Sequence, residues 1–338
     1  MYIKKKILGK GAYGKVYLVL NDKNKKLYAL KSMGKDKSSI ISFDTEIKLL
    51  KKLDHENVVK LYDFFENQTK LNIILEFAEN GTLSDLIRKY DKNFRKFNET
   101  EVKNVIVSIA KGLDHLHQNK IIHRDIKPEN ILVTKDNIYK ISDFGVSRLD
   151  NKTKMINTSI GTPYYMAPEL IKGRQYNNEV DCWALGCIFY ELFTFKPPFD
   201  GNNLYVLSAR ICRGYISLHQ IPLDYRTIIR NLLNINNLKR STINEVLTFY
   251  ENVEIKEKKP YHFESRMKNI KKNYVSPYRY NNIPNNNINK NNILPKIQVN
   301  VNNNNNIQRP DYRKKNAQYY NNLNPVDNYY KNRKPFFY

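Results

Sequence analysis

The stretch "HRDIKPEN", His123 to Asn130, sets an acid, a lysine two positions on and an amide five positions on within eight residues. It is too polar for a core strand or helix, and its chemistry is too ordered for an ordinary turn. Asp125 can accept a hydroxyl proton, Lys127 can neutralise charge on a group in transfer, and Asn130 can offer a carbonyl oxygen to a cation. Further on, "DFG", Asp143 to Gly145, adds the carboxylate that a second hard-cation site needs. Together these residues describe phosphoryl transfer.

The surrounding periodicity says what carries them. Just before the stretch, Val102, Val105, Ile106, Ile109, Leu113 and Leu116 form the apolar stripe of an amphipathic helix. After it, "EVDCWALGCIFYELF" is apolar nearly all round, as in a helix buried within a larger unit. The segments "LYVLSARIC", "RTIIRNLL" and "TINEVLTFY" continue as helices. Residues 2 to 33 instead alternate as strands around a polar turn, and "VVKLYDFFEN" and "KLNIILEFAE" read as two more strands. Between the two sets, "FDTEIKLLKKL" puts Phe43, Ile47 and Leu50 on one helical face. The expectation is a small β-rich lobe with one helix, a joint near Glu76 to Gly81, and a mostly helical lobe.

Gly9, Gly11 and Gly14 spell GxGxxG, which alone is weak. A dinucleotide fingerprint would lead into a helix, whereas Val16 to Val19 continue as strand. A Walker-type loop would need a hydroxyl where Val16 stands. What remains is a glycine-rich hairpin able to bring backbone N–H groups close to phosphates. Lys31 lies on the next strand, 15 residues before Glu46, an acid able to pin its ammonium toward phosphate oxygens.

In this order and at these spacings, the glycine loop, strand lysine, helix glutamate, HRD…N, DFG and "APE" (Ala167 to Glu169) resemble a eukaryotic protein kinase of the Ser/Thr type over residues 2 to about 250. The resemblance implies an α+β, bilobal fold: a small antiparallel β-sheet N-lobe (about 2–77) with one main helix, and a larger, mostly helical C-lobe (about 81–250). It implies ATP and Mg²⁺ as cofactors, with Mn²⁺ as an alternative, and protein substrates bearing Ser or Thr hydroxyls.

Carried over position by position, the resemblance makes Asp125 the catalytic base, assisted by Lys127 and Thr162, and gives the metal to Asn130 and Asp143. Lys31 pairs with Glu46 and contacts phosphates. Leu8, Gly9, Gly11 and Gly14 cover the nucleotide. Val16, Ala29 and Leu132 sandwich adenine, Glu76 and Ala78 bind it through backbone groups, and Leu75 guards the pocket behind. Leu50, Leu61, His123 and Phe144 stack as a regulatory column, Asp181 braces the catalytic loop, and Glu169 pairs with Arg240.

By the resemblance, Lys127 and Thr162 imply Ser/Thr rather than Tyr acceptors, and Val146 implies a preference for threonine. Arg124 implies activation by a phosphate on Thr158, with Ser159 second. Thr82 stands where many relatives have an acidic residue contacting ribose or a basic substrate residue. "GTPYYMAPEL" and "PENIL" resemble NIMA-related and ULK-type kinases, while "ENGTLSDLI" and "DFGVS" lean towards the MAP-kinase-kinase-kinase branch. A pseudokinase scaffold is the competing reading, and the intact Lys31, Asp125, Asn130 and Asp143 speak against it.

The resemblance stops short of residues 251–338, where 23 of 88 residues are Asn, with scattered Tyr, Lys and Pro and no periodic apolar pattern. That tail is expected to be disordered when free. It carries 17 Lys+Arg against 6 Asp+Glu, leaving 40 against 27 for residues 1–250, so both parts favour anionic partners. For the tail these are acidic proteins or RNA; AT-rich codon bias is the alternative origin of its composition. Cys182, Cys187 and Cys212 form neither a disulfide framework nor a metal set. No stretch reaches the ~18 apolar residues of a membrane span. The expectation is a soluble, cytoplasmic chain.

Overall fold

The computed structural model describes residues 1–11, 14–144 and 163–252. The first lobe is a five-stranded antiparallel sheet: β1 (Tyr2–Gly11), β2 (Gly14–Asn21), β3 (Leu27–Gly34), β4 (Leu61–Glu66) and β5 (Lys70–Glu76), in the order β1-β2-β3-β5-β4. Asn side chains close two of its turns. Asn21 Oδ1 accepts from the Lys23 N–H at 2.9 Å, and Asn67 Oδ1 from the Lys70 N–H at 2.8 Å, the local bond that makes Asn a turn former. Gly14 is required by close approach: a Cβ there would sit 2.1 Å from the Ser32 carbonyl oxygen.

Helix α1 (Lys37–Leu50) is capped by Asp36, whose carboxylate accepts from the Ser39 N–H. As its period predicts, Phe43, Ile47 and Leu50 are buried, in one cluster with Ala29, Met33, Ile73 and Leu75 of the sheet. On the opposite face of the sheet Val19, Tyr28, Leu30 and Ile74 form a second small core, with Tyr2 and Tyr17 packed against it. The sheet curls enough for Tyr2, on β1, to stack on Phe65 of β4 with ring centroids 6.2 Å apart.

The second lobe starts where Gly81, at φ +74°, turns the chain into α2 (Leu83–Lys92); left-handed backbone of this kind suits glycine. Thr82 with Asp85, and Asn98 with Glu101, form capping boxes for α2 and α3 (Glu99–Gln118). All six residues of the expected α3 stripe are fully buried. A 3₁₀ turn at Pro128–Asn130, a two-stranded sheet of β6 (Ile131–Val133) and β7 (Tyr139–Ile141), and a short α4 (Pro168–Ile171) precede α5 (Glu179–Thr194). Helices α6 (Leu204–Arg213), α7 (Leu223–Leu232) and α8 (Ile243–Asn252) follow. Helix α5 is buried along nearly its whole length, as an all-round apolar helix must be.

Three differences from the sequence reading have simple causes. Strand β4 begins at Leu61 rather than Val58, because Val58 and Val59 pair with the second lobe instead: the Val59 N–H donates to Ile141 O at 2.9 Å. The last helix runs to Asn252, past the expected boundary at 250, with the Asn252 side-chain amide donating to Thr248 O at 2.9 Å. The β6–β7 hairpin and α4 are too short to show a period. Gly112 on α3 makes the lobe junction tight, since a Cβ there would lie 2.7 Å from Asn57 O.

Candidate active site

Strand β3 and helix α1 bring Lys31 and Glu46 together inside the first lobe. Lys31 Nζ donates to Glu46 Oε1 and Oε2 at 2.9 and 2.8 Å, and across the lobe junction to Asp143 Oδ1 at 2.9 Å. All three ammonium protons therefore have carboxylate partners. Burial works against the Lys31 charge, but Asp143 and Glu46 outweigh it and raise its pKa. Lys31 in turn holds the Asp143 carboxyl at about 2, outweighing the partial desolvation of a side chain that stays 42% exposed. For Glu46, burial pushes the carboxyl up while Lys31 pulls it down.

Asp143 follows β7 and has φ +64°, and Arg124 has φ +71°. Non-glycine residues are held in this region only where surrounding contacts impose it, and such positions gather at functional sites. The imposing contacts around Arg124 are explicit. Asp181, fully buried on α5, accepts from the backbone N–H groups of His123 (3.0 Å) and Arg124 (2.8 Å) and from His117 Nε2 (2.9 Å). Burial alone would raise the Asp181 pKa, but the His117 hydrogen bond and charge, then His123 and the Arg124 N–H, bring it below the usual carboxylate value. His117 escaped the sequence reading; its signal was a ring near the end of α3, one turn before the loop.

His123 is fully buried. Its Nδ1 accepts from the Asp125 N–H at 3.3 Å, so the other nitrogen, Nε2, carries the proton shared with Ser142 O at 3.0 Å. The rings of His123 and Phe144 meet edge to face at 5.2 Å. Leu50 and Phe144 belong to the same core, with Leu61 partly buried against it.

The HRD…N residues converge. Lys127 Nζ donates to Asp125 Oδ2 at 2.6 Å, and Asn130 Nδ2 donates to Asp125 O at 2.7 Å and Oδ2 at 2.9 Å. Burial disfavours the Lys127 charge, yet Asp125 and more distant acids raise its pKa. Since the Asn130 nitrogen is committed to Asp125, its carbonyl oxygen faces the other way. The Asp143 side chain is 42% exposed, and both groups are oxygen donors of the type a hard divalent cation takes.

Above this, Leu8, Ala29, Leu75, Ala78 and Leu132 are buried in one cluster, with Val16 packed against it. The connection after β5 is stitched to β6: Asn80 N–H donates to Val133 O at 3.0 Å and Val133 N–H to Gly81 O at 2.9 Å. Glu76 keeps its own side chain on Lys140 Nζ, 3.1 Å away. Gly9 and Gly11 lie on β1, and Gly11 pairs with Gly14 across the hairpin. Thr82 is buried, its hydroxyl donating to Asp85 Oδ2 at 2.8 Å, so it is a helix cap rather than a cleft-facing group. In the second lobe Glu169 and Arg240 form a two-pronged pair at 2.6 and 2.9 Å. Gly145, Val146, Thr158, Ser159 and Thr162 lie outside the described residues.

The sequence matches the protein kinase domain family over residues 2–249. It is 36% identical over 261 residues to the serine/threonine-protein kinase Nek5 of Homo sapiens, covering 73% of this chain and 36% of that one. It is also 36% identical over 244 residues to human NUAK family SNF1-like kinase 1, covering 71% of this chain and 36% of that relative. The serine/threonine-protein kinase TIO of Arabidopsis thaliana is 35% identical over 233 residues, covering 68% of this chain and 17% of TIO. The chain thus spans well under half the length of these relatives. With the family match extending over 2–249 and the lysine, glutamate and aspartates of its motifs meeting in one cleft, the chain belongs to the protein kinase family.

Proposed function

We propose that the chain is a protein serine/threonine kinase that uses ATP with Mg²⁺. The observation that supports this most is the joining of Lys31, Glu46 and Asp143 by bonds of 2.8 to 2.9 Å beside an Asp125–Lys127–Asn130 cluster. Members of the family use ATP and a divalent cation. ATP would supply the phosphoryl group and the cation would screen the charge on it.

The chain's own residues then have separate tasks. Lys31, held by Glu46, would present its ammonium to phosphate oxygens, and Asp143 and Asn130 would hold the cation. Asp125 takes the proton of the acceptor hydroxyl as that oxygen attacks and the bond to the departing diphosphate breaks. Its Oδ1 receives no hydrogen bond among the described residues, while Lys127 on Oδ2 fixes the carboxylate and screens the group in transfer. Phe144 against His123 keeps Asp143 at the cleft. Arg124, whose guanidinium lies 5.2 Å from the Tyr176 ring, would take a phosphate on Thr158 as part of activation.

The test is phosphate transfer from ATP and Mg²⁺ to a threonine-containing protein, comparing the full chain with Asp125→Asn and mapping modified residues by mass spectrometry. Transfer by the unmodified chain alone, with Thr158 among its products, is the expected result. No transfer, even after Thr158 has been phosphorylated by another kinase, would leave a nucleotide-binding scaffold instead.

A further inference from the structure

The roof of the cleft carries charge that the mechanism above does not use. Strands β1 and β2 hold Lys4, Lys5, Lys6, Lys10 and Lys15, all exposed, and no acidic residue. Lys4 is engaged locally, its Nζ lying 4.2 Å from the centre of the Tyr17 ring. Lys10 and Lys15 stand at the other end of the hairpin, where the glycines are. They are cross-strand partners next to the Gly11–Gly14 pair.

The register says which face these two residues occupy. Val16 packs against the core that holds Leu8, Ala29 and Leu132, on the cleft side of the sheet. The period of two along β2 then puts Lys15 on the outer face with Tyr17, which packs on the second small core, and Lys10 shares the face of its partner. Residues directly opposite one another have Cβ atoms about 5 Å apart, and like charges so placed destabilise the pairing. No acid on either strand offsets them. An approaching anion would.

The cleft beneath has the opposite sign. There Glu46, Asp125 and Asp143 set three carboxylates against the ammonium groups of Lys31 and Lys127. A nucleoside triphosphate is still anionic after it has taken up Mg²⁺, so at a distance this cluster repels it. The surface that can draw it in is the hairpin above. A single layer of sheet is thinner than the ~10 Å between stacked sheets, and ~10 Å is about one screening length near physiological ionic strength. The outer-face lysines therefore extend their field over the mouth of the cleft without touching what binds inside it.

We propose that Lys10 and Lys15 steer the nucleotide: their paired charge speeds the arrival of Mg²⁺-bound ATP at the cleft, and they make no contact with it once it is bound. The inference rests on the nucleotide-binding reading given above. It assigns these two side chains to the association step, whereas Lys31 is assigned to the bound phosphates. Because the effect is one of field rather than contact, it belongs to the rate of binding and fades as salt screens it.

The experiment is stopped-flow binding of a ribose-labelled fluorescent ATP with Mg²⁺ to the full chain, with association and dissociation rates followed from low to high salt. Lys10→Gln/Lys15→Gln is compared with the unmodified chain and with Lys23→Gln/Lys26→Gln, which removes the same charge from exposed residues beyond the far end of β2. We expect association to slow on the order of fivefold in Lys10→Gln/Lys15→Gln at about 0.01 M ionic strength, where the field reaches furthest, and by less than about 1.5-fold near 1 M. Dissociation should change by less than about twofold throughout. An equal loss in the control pair would overturn the proposal, since net charge alone would then account for it. A slowing that persists in high salt, or an effect confined to dissociation, would overturn it by making the two lysines contact residues. Unchanged association would overturn it outright. Binding of nucleotide to none of the three proteins would instead remove the kinase reading, and this inference with it.

Discussion

Two long-range ion pairs, one in each lobe's machinery, differ in what they leave unsatisfied. Glu169 and Arg240 meet through two parallel hydrogen bonds, and the rest of the guanidinium is used as well. Arg240 Nη1 donates to Glu179 O at 2.8 Å, Nε donates to Asn234 O at 3.0 Å, and the Trp183 ring lies 5.1 Å away. That pair is complete. The cleft is not: Glu46, Asp143 and Asp125 set three carboxylates against the two ammonium groups of Lys31 and Lys127. Surplus negative charge of this kind attracts cations, whereas the closed pair only holds α4 to the helical lobe. Both are called salt bridges, yet only the first kind can respond to a ligand.

Breaking the open centre should act on function. Asp143→Asn removes the carboxylate proposed to hold the cation but leaves an amide of the same shape on Lys31. Phosphate transfer should fall by about 10³-fold, roughly 4 kcal/mol of transition-state stabilisation. The melting temperature should move little, because the variant relieves the surplus charge. Single-turnover transfer assays and calorimetry on the same preparation separate the two effects. A parallel collapse of stability would show that the cleft is as structural as the closed pair.

Breaking the closed centre should act on stability. Glu169→Gln strands the buried Arg240 charge, which costs about 3 kcal/mol or more. For a domain of this size that lowers the melting temperature by about 10 °C. Below the transition, the affinity for nucleotide should stay within about twofold. Nucleotide binding measured well below the melting point checks the second half of that expectation.

The sequence showed these two centres unequally. Lys31 and Glu46 stand out because the α1 period turns Glu46 inward beside Phe43, Ile47 and Leu50, where a carboxylate needs a cation. Asp125, Lys127 and Asn130 stand out because they crowd into one polar run. By contrast, Asp181 and Arg240 came only with the family resemblance, since nothing local distinguishes an acid on a buried helix from one that faces solvent. His117 and the Val59–Ile141 bond were missed for a related reason. Each depends on where two distant segments meet, and no period or cap encodes that meeting. Thr82 was read by its place in the family pattern, while its immediate neighbour Asp85 decided its use.

Thr82 therefore offers a smaller test at the rim of the cleft. It terminates the connection between the lobes, and its hydroxyl is engaged with both the N–H and the carboxylate of Asp85. Thr82→Ala should cost about 1 kcal/mol as a lost N-cap, with the Michaelis constant for ATP changed less than about twofold. Thr82→Ser keeps both the bond accepted from the Asp85 N–H and the one donated to its carboxylate, and should restore the stability. A large rise in the Michaelis constant for Thr82→Ala, with stability unchanged, would move the residue from the fold to the nucleotide site.

The smallest expected effect is a difference in acid sensitivity, and its sign follows from the charge imbalance in the cleft. Asp143 titrates at about 2 in the folded chain against an ordinary 3.8, because Lys31 favours its ionised form. A carboxyl depressed on folding contributes stability that is fully present above its unfolded pKa and is lost as pH falls through its folded one. The unmodified chain should therefore lose this contribution between about pH 4 and pH 2, while Asp143→Asn has none to lose. Every other carboxyl is common to the two proteins, so their difference in melting temperature isolates this group. The difference should be no more than about 2 °C near neutrality, since Asp143 is well exposed and solvent weakens its pairing. It should shrink further through that acid window. A difference that instead widens as pH falls would mean that the protonated acid is the form the cleft prefers. Lys31 would then be held chiefly by Glu46, and the open centre would be closer in kind to the closed one.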